Sequence, residues 1–229
     1  MSDSDANSEA EAQGELSVDD AYLLETPNDS RRLYRKWAAT YDDDFVEAMG
    51  YVYPENVASA FLDAGGSAGG AVLDVGCGTG VVGVALADVG EKSVDGIDIS
   101  QEMVDVARQK RTVFDQPAYR QFFVADLTEP LAIPDDTYMG IVSAGTFTHG
   151  HLPPDPIREL VRIAAPSAVC AIGINADHYV EHGFEALFGE LAVAGQITAP
   201  TLIDVAVYEG ATNEHSNVRA NIALFQVLA

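Results

Sequence analysis

Residues 72–80 read VLDVGCGTG, with three glycines at every second position just after an aspartate. Glycine at that density lets a backbone turn sharply and come close to a ligand, at an entropic cost that a purely structural turn seldom carries. The apolar run 71–75 in front of it reads as a strand. Val82, Ala85, Leu86 and Val89 behind it repeat at the spacing of one helix face. The unit is therefore strand, glycine turn, helix, and the turn faces whatever binds at the strand's carboxyl end.

The rest of the chain repeats this alternation. Val57, Ala60, Phe61 and Ala64 mark one helix, and Ile157, Leu160, Val161 and Ala164 another. Val180, Phe184, Leu187, Phe188 and Leu191 predict a single further amphipathic helix. Between the helices lie strand-length apolar runs at 94–99, 119–124, 138–143 and 168–174. Strands alternating with helices predict an α/β fold, a doubly wound, mostly parallel sheet covered on both faces. The end differs: TLIDVAVY (201–208), a polar turn at 209–217 and VRANIALFQVL (218–228) predict an antiparallel hairpin. The first 17 residues are small and acidic with little to bury, and are expected to form a disordered tail. That leaves 18–66 as an N-terminal helical lid and 67–229 as the ligand-binding domain.

In such a sheet ligands bind outside the carboxyl ends of the strands, where strand order reverses. A nicotinamide fingerprint reads G-x-G-x-x-G, whereas here Gly76, Gly78 and Gly80 are followed by Val81. No Lys-Ser/Thr pair follows the glycines, so a P-loop is excluded. Asp98 ends the second strand, where a carboxylate accepts hydrogen bonds from vicinal ribose hydroxyls. Asp126 closes the third, in reach of an exocyclic adenine amine. Each alone could cap a helix. Together they share the rim with the glycine turn, which points to an adenosine-containing ligand.

VLDVGCGTG, GIDISQEMVDVAR and VADL resemble the first three motifs of the class I S-adenosylmethionine-dependent methyltransferases. Within that superfamily the chain is most similar to the small Williams–Beuren region methyltransferase-like branch, over about residues 30–228. YRKWAATYDDDFVEAMGYVYPENVA (34–58) resembles its N-terminal lid, and SAGTFTHGHL (143–152) its fourth-strand motif. The resemblance implies a Rossmann-like seven-stranded sheet in the order 3-2-1-4-5-7-6. It implies S-adenosylmethionine as cofactor, with Gly76, Cys77 and Gly78 against the methionine part and Asp74 orienting the loop and reaching the amino group through water. Asp98 would take the ribose, Ile99 and Met103 would flank the adenine, and Asp126 with Leu127 would hold its edge and face. Main-chain oxygen near Ser143 would meet the ammonium end, and Tyr34, Trp37 and Tyr41 would close over the cofactor.

Arg31, Arg32, Arg35 and Lys36 are spaced to share a helix face in that lid. Arg35 or Arg31 could anchor the methionine carboxylate, or the four could form a solvated basic face. For the acceptor side, 145–156 offers Thr146, Thr148, His149 and His151, and INADHY offers Asn175, Asp177, His178 and Tyr179. His149 is the first choice for a general base, since histidine titrates near neutrality, with His178 the second. A histidine bonded locally in a turn is the competing reading. No metal site is expected. Methyl transfer from a sulfonium is mainly a matter of orientation, so no catalytic triad is required.

The formal charge of −24, with three lysines against nine arginines, repels phosphate backbones and disfavours nucleic acid as a partner. No run reaches membrane-span length and the N-terminus lacks signal-peptide features, so a cytoplasmic protein, with reduced Cys77 and Cys170, is expected. The sequence thus predicts a methyltransferase acting on a small-molecule or other non-nucleic acceptor, without nucleic acid or membrane, as a monomer or homodimer. A non-catalytic cofactor-binding module and a nucleotide-dependent oxidoreductase are the alternatives.

Overall fold

In the strands at the centre of the sheet, neighbouring residues serve opposite cores. The computed structural model describes residues 20–21, 23–24, 26–66, 69–90, 93–148, 151–210 and 217–228. The expected tail 1–17 and most of the turn at 209–217 lie outside them. The first strand, β1 (Val72–Val75), is buried at all four positions. Val72 packs into one hydrophobic core while Leu73 and Val75 pack into the other. Alternating side-chain direction along a strand explains why both faces need apolar residues, and why the run reads as continuously hydrophobic.

The remaining strands are β2 (Val94–Asp98), β3 (Gln121–Val124), β4 (Tyr138–Phe147), β5 (Ala164–Asn175), β6 (Thr201–Ala206) and β7 (Arg219–Gln226). They form one sheet in the order β3-β2-β1-β4-β5-β7-β6, the order implied by the resemblance. The first five strands are mutually parallel, and β7 lies antiparallel between β5 and β6. Sequence order reverses direction between β1 and β4, which puts the topological switch point beside the glycine turn. β4 and β5 are longer than their apolar runs, because β4 continues through Thr146 to Phe147.

On one face lie α3 (Val81–Asp88) and α4 (Gln101–Ala107); on the other are α5 (Pro156–Ile163), α6 (Ala176–Glu181) and α7 (Phe184–Val193). The single helix expected from Val180 to Leu191 is instead two. Gly183 takes a left-handed conformation at φ +79°, which stops α6 and starts α7. Val180 is consequently 79% exposed and no part of the buried stripe.

The N-terminal segment forms α1 (Pro27–Trp37), a π-helix (Asp42–Glu47) and α2 (Tyr53–Asp63). α1 starts with a capping box: the Asp29 amide donates to the Thr26 hydroxyl while the Asp29 carboxylate accepts from the Thr26 amide, and Pro27 takes the first turn. Between the π-helix and α2 the chain is stitched to the end of β6. The Val52 amide donates to the Val207 carbonyl (3.1 Å), the Glu209 amide to the Gly50 carbonyl (2.8 Å) and the Asn56 side chain to the Ala206 carbonyl (3.1 Å). These bonds fix the lid over the carboxyl ends of the strands. Among the described residues no helix is long and apolar enough to cross a membrane.

Candidate functional site

The glycine turn is held by its own backbone. The Gly76 and Cys77 amides both donate to the Ile97 carbonyl at the end of β2 (2.8 and 3.0 Å), and the Gly78 amide donates to the Asp98 carboxylate (2.9 Å). Gly76 sits at φ +65°, and a Cβ there would lie 2.0 Å from the Thr146 hydroxyl oxygen, so both its conformation and its surroundings require glycine. The three amides that would cradle a phosphate are thus already engaged within the protein.

One cavity opens above this turn. Gly76, Cys77 and Gly78 form its floor, and Asp98, Ile99 and Met103 follow along the end of β2 and the start of α4. Asp126 and Leu127, just past β3, complete that side, and Tyr34, Trp37 and Tyr41 cover it from the lid. Asp98 is 8% exposed, and its second oxygen accepts from the Ser100 amide (2.8 Å). Burial pushes its pKa up, opposed by the Ser100, Gly78 and Ile99 amides. Asp126 is subject to the same upward push from burial. The Thr128 hydroxyl and amide and the Arg31 guanidinium outweigh it, and its pKa falls below the usual carboxylate range.

Two residues expected at the cofactor lie outside the cavity wall. Asp74 is fully buried beneath the turn, where its carboxylate accepts from the Tyr119 hydroxyl (2.6 Å). Alternation along β1 sends this side chain under the loop, where it supports the turn from below. Ser143 is also fully buried, and its hydroxyl donates to the Val75 carbonyl (2.8 Å), tying β4 to the end of β1.

The lid arginines do not project into the cavity either. Arg31 pairs with Asp126 (3.2 Å), Arg35 with Glu102 (3.0 Å) and Arg32 with Asp29. Arg31 therefore ties α1 to the residues after β3, and Arg35 ties it to α4. Two further contacts close the lid: the Tyr34 hydroxyl meets His151 Nε2 (2.7 Å), and Asp42 accepts from the Thr79 hydroxyl (2.5 Å) while pairing with Lys110.

On the acceptor side, Thr146, Thr148, His151 and Asn175 line the cavity. His149 lies outside the described residues. His178 is 4% exposed and absent from the cavity wall: its Nε2 meets the Leu152 carbonyl (2.9 Å) and its ring packs on His182 and Phe184. The cause is local. The Asn175 side chain accepts from the Asp177 and His178 amides, starting α6 in a direction that turns His178 inward. Tyr179 likewise stacks on Phe184 and Phe188.

Sequence reasoning missed Phe45, Tyr51, Tyr53 and Tyr208, which all line the cavity. Phe45 follows Tyr34, Trp37 and Tyr41 at helical spacing, and Tyr51 and Tyr53 alternate into the start of α2, a signal that was legible. Tyr208 arrives by tertiary pairing alone, bridging to Tyr51. The rings form a chain: Trp37–Tyr41 at 5.1 Å between centroids, Tyr41–Phe45 at 4.8 Å, Phe45–Tyr51 at 4.8 Å and Tyr51–Tyr208 at 5.7 Å.

Residues 72–167 match the family model described as Methyltransferase domain. No curated protein matches the chain. Among solved structures, the chain is similar to magnesium protoporphyrin IX methyltransferase (ChlM) from Synechocystis PCC 6803 with bound SAM. That pair is 21% identical with a TM-score of 0.62, covering 90% of this chain and 98% of that one. It is also similar to a TehB-like SAM-dependent methyltransferase from Corynebacterium glutamicum, at 23% identity and a TM-score of 0.55, covering 88% of this chain and all of that one. The domain match supports a methyltransferase, and these neighbours share the fold.

Proposed function

We propose that the chain is an S-adenosylmethionine-dependent methyltransferase acting on a small-molecule acceptor. The observation that carries this reading is one cavity wall shared by the glycine turn, Asp98 and Asp126 at the ends of three adjacent strands. The donor set fits the cofactor. The Gly78, Ser100 and Ile99 amides engage the Asp98 carboxylate, whose two oxygens offer about four lone pairs, so acceptor capacity remains for a ribose hydroxyl. Ile99 and Met103 offer apolar surface for an adenine, with Asp126 and Leu127 at its edge. The Gly76, Cys77 and Gly78 amides are engaged within the protein and not offered to a pyrophosphate, which favours this reading over a dinucleotide oxidoreductase.

When bound, S-adenosylmethionine supplies a sulfonium-activated methyl carbon, which an acceptor lone pair takes by in-line displacement, leaving S-adenosylhomocysteine. The protein's part is to orient and to exclude water, and the lid aromatics and their polar latches serve both. His151, with its Nε2 shared with the Tyr34 hydroxyl, is the imidazole the described cavity presents for a proton.

The absence of Lys and Arg from the described cavity wall and the acidic chain support an acceptor other than nucleic acid. The proposal keeps a cytoplasmic monomer or homodimer without membrane contact. The aromatic segment 34–58 supports placing the chain near the Williams–Beuren region methyltransferase-like branch.

Calorimetric titration with S-adenosylhomocysteine and with NADH tests the reading, followed by an acceptor screen for S-adenosylhomocysteine release. Binding of the first ligand and turnover are expected. NADH binding without S-adenosylhomocysteine binding would reverse the assignment, and binding without turnover on every acceptor would leave a sensing module.

A further inference from the structure

The end of β4 is pinned to the glycine turn. The Thr146 hydroxyl donates to the carbonyl of Val75, the last residue of β1 (3.0 Å). Two residues on, the Thr148 carbonyl accepts from the His151 amide (3.1 Å), and that turn places His151 on the cavity wall. Asn175 shares the wall from the end of β5, with its side-chain oxygen committed to the Asp177 and His178 amides. The imidazole is thus tied through a few residues to the loop proposed to hold the methionine end of the cofactor.

Its partner comes from the lid. His151 Nε2 lies 2.7 Å from the hydroxyl of Tyr34, which lines the same cavity. A hydroxyl that donates to a neutral imidazole can accept a second proton at its oxygen while passing its own to the ring nitrogen. Tyr34 follows Arg31 by one turn of α1, and Arg31 pairs with Asp126 on the proposed adenine side, so one helix touches both halves of the cavity. Behind Tyr34 the rings continue, to Tyr41 at 6.3 Å between centroids and from Tyr41 to Phe45 at 4.8 Å. They reach the end of β4 as well, where a Cβ on Gly145 would lie 2.7 Å from the Tyr51 hydroxyl oxygen. Such a row offers ring faces and edges to an aromatic ligand.

Resting on the methyltransferase reading above, we infer that Tyr34 and His151 form a proton relay for an acceptor carrying a phenolic hydroxyl. As the acceptor oxygen bonds to the methyl carbon and the carbon–sulfur bond breaks, the acceptor's proton moves to the Tyr34 oxygen. The Tyr34 proton moves to His151 Nε2. The tyrosine is restored, sulfur keeps the electron pair as a thioether, and the positive charge passes to the imidazole, which releases its proton to water. A phenol suits this relay because giver and receiver in the first transfer are the same functional group, which keeps that step close to even in energy.

The test pairs p-cresol with 4-methylbenzenethiol, which share a shape but differ in need: the thiol is largely ionised near neutral pH and requires no relay. S-adenosylhomocysteine release is measured with the full chain at saturating S-adenosylmethionine, and kcat/KM for p-cresol is divided by that for the thiol. Tyr34→Phe and His151→Gln are each expected to lower this ratio at least about tenfold. Both rates come from one sample, so changes in folding or cofactor affinity cancel. A smaller drop in either variant overturns the relay, as does a native chain that binds S-adenosylhomocysteine but does not turn over p-cresol. A second readout needs no turnover. In the chain saturated with S-adenosylhomocysteine and carrying nitrogen-15 histidine, p-cresol is expected to shift the His151 Nε2 resonance, assigned by its loss in His151→Gln. Tyr34→Phe is expected to abolish that shift. A resonance that ignores p-cresol in the native chain, or still responds in Tyr34→Phe, overturns the inference. No heat with S-adenosylhomocysteine in the native chain defeats the methyltransferase reading itself, and this inference with it.

Discussion

Replacing Asp74 by asparagine isolates one proton beneath the glycine turn. The carboxyl is fully buried; one oxygen accepts from the Tyr119 hydroxyl, and the other has no hydrogen-bond partner among the described residues. Burial pushes its pKa up to about 7, helped by the nearby Asp98 carboxylate and opposed by Tyr119 and the Gly83 amide. In the unfolded chain the same group releases its proton near pH 4. Between these values the native state holds a proton that the unfolded state has lost, so stability falls as pH rises. The contribution is complete below pH 4 and gone once pH passes the folded value. From pH 5 to 7 lie two pH units at 1.36 kcal/mol each, so the native chain should lose about 3 kcal/mol relative to Asp74→Asn between pH 5 and 8.

Urea denaturation of both chains at pH 5 and pH 8, followed by far-ultraviolet circular dichroism, measures this as a difference of differences. Every other titrating group is common to the two chains, and any fixed packing cost of the asparagine cancels. A native-minus-variant gap that stays the same within about 0.5 kcal/mol at the two pH values would refute proton uptake by Asp74.

Other substitutions separate the site's parts. Asp98→Ala removes the acceptor for two loop amides and for a ribose, and should weaken S-adenosylhomocysteine by about 1.5–3 kcal/mol, tenfold or more by calorimetry; unchanged affinity in a folded variant would remove Asp98 from the site. Gly76→Ala should lower the unfolding midpoint and weaken cofactor binding, because the left-handed backbone costs about 1–2 kcal/mol before the clash with Thr146 is counted. A fully stable, fully binding Gly76→Ala chain would contradict that geometry. Tyr34→Phe cuts the lid contact to His151, worth about 0.5–1.5 kcal/mol, and should speed S-adenosylhomocysteine release up to about tenfold in stopped-flow measurements. An unaltered release rate would show that this contact does not hold the lid.

The cofactor half was legible because its signals are local. Gly76, Gly78 and Asp98 lie within one strand–turn–helix–strand unit, and the spacing that identifies them is the spacing that places them. Helix starts and stops were less so: a smooth apolar period across 180–191 hides Gly183, whose backbone conformation outweighs the period. His178 was misplaced for a related reason. A histidine after a strand says nothing about the direction its helix leaves in, and here the Asn175 cap decides it. The buried side chains of Asp74 and Ser143 were hidden for another reason: in a sheet covered on both faces a polar residue does not announce whether it faces the cavity or the layer below. The acceptor half is the extreme case. Its wall joins Phe45 to Tyr208, residues far apart in sequence and brought together by backbone bonds between the lid and the end of β6. The glycine turn proposed to hold the methyl donor is written in one short motif. A surface that selects one acceptor is assembled from several distant segments, so the substrate has to be read from the cavity.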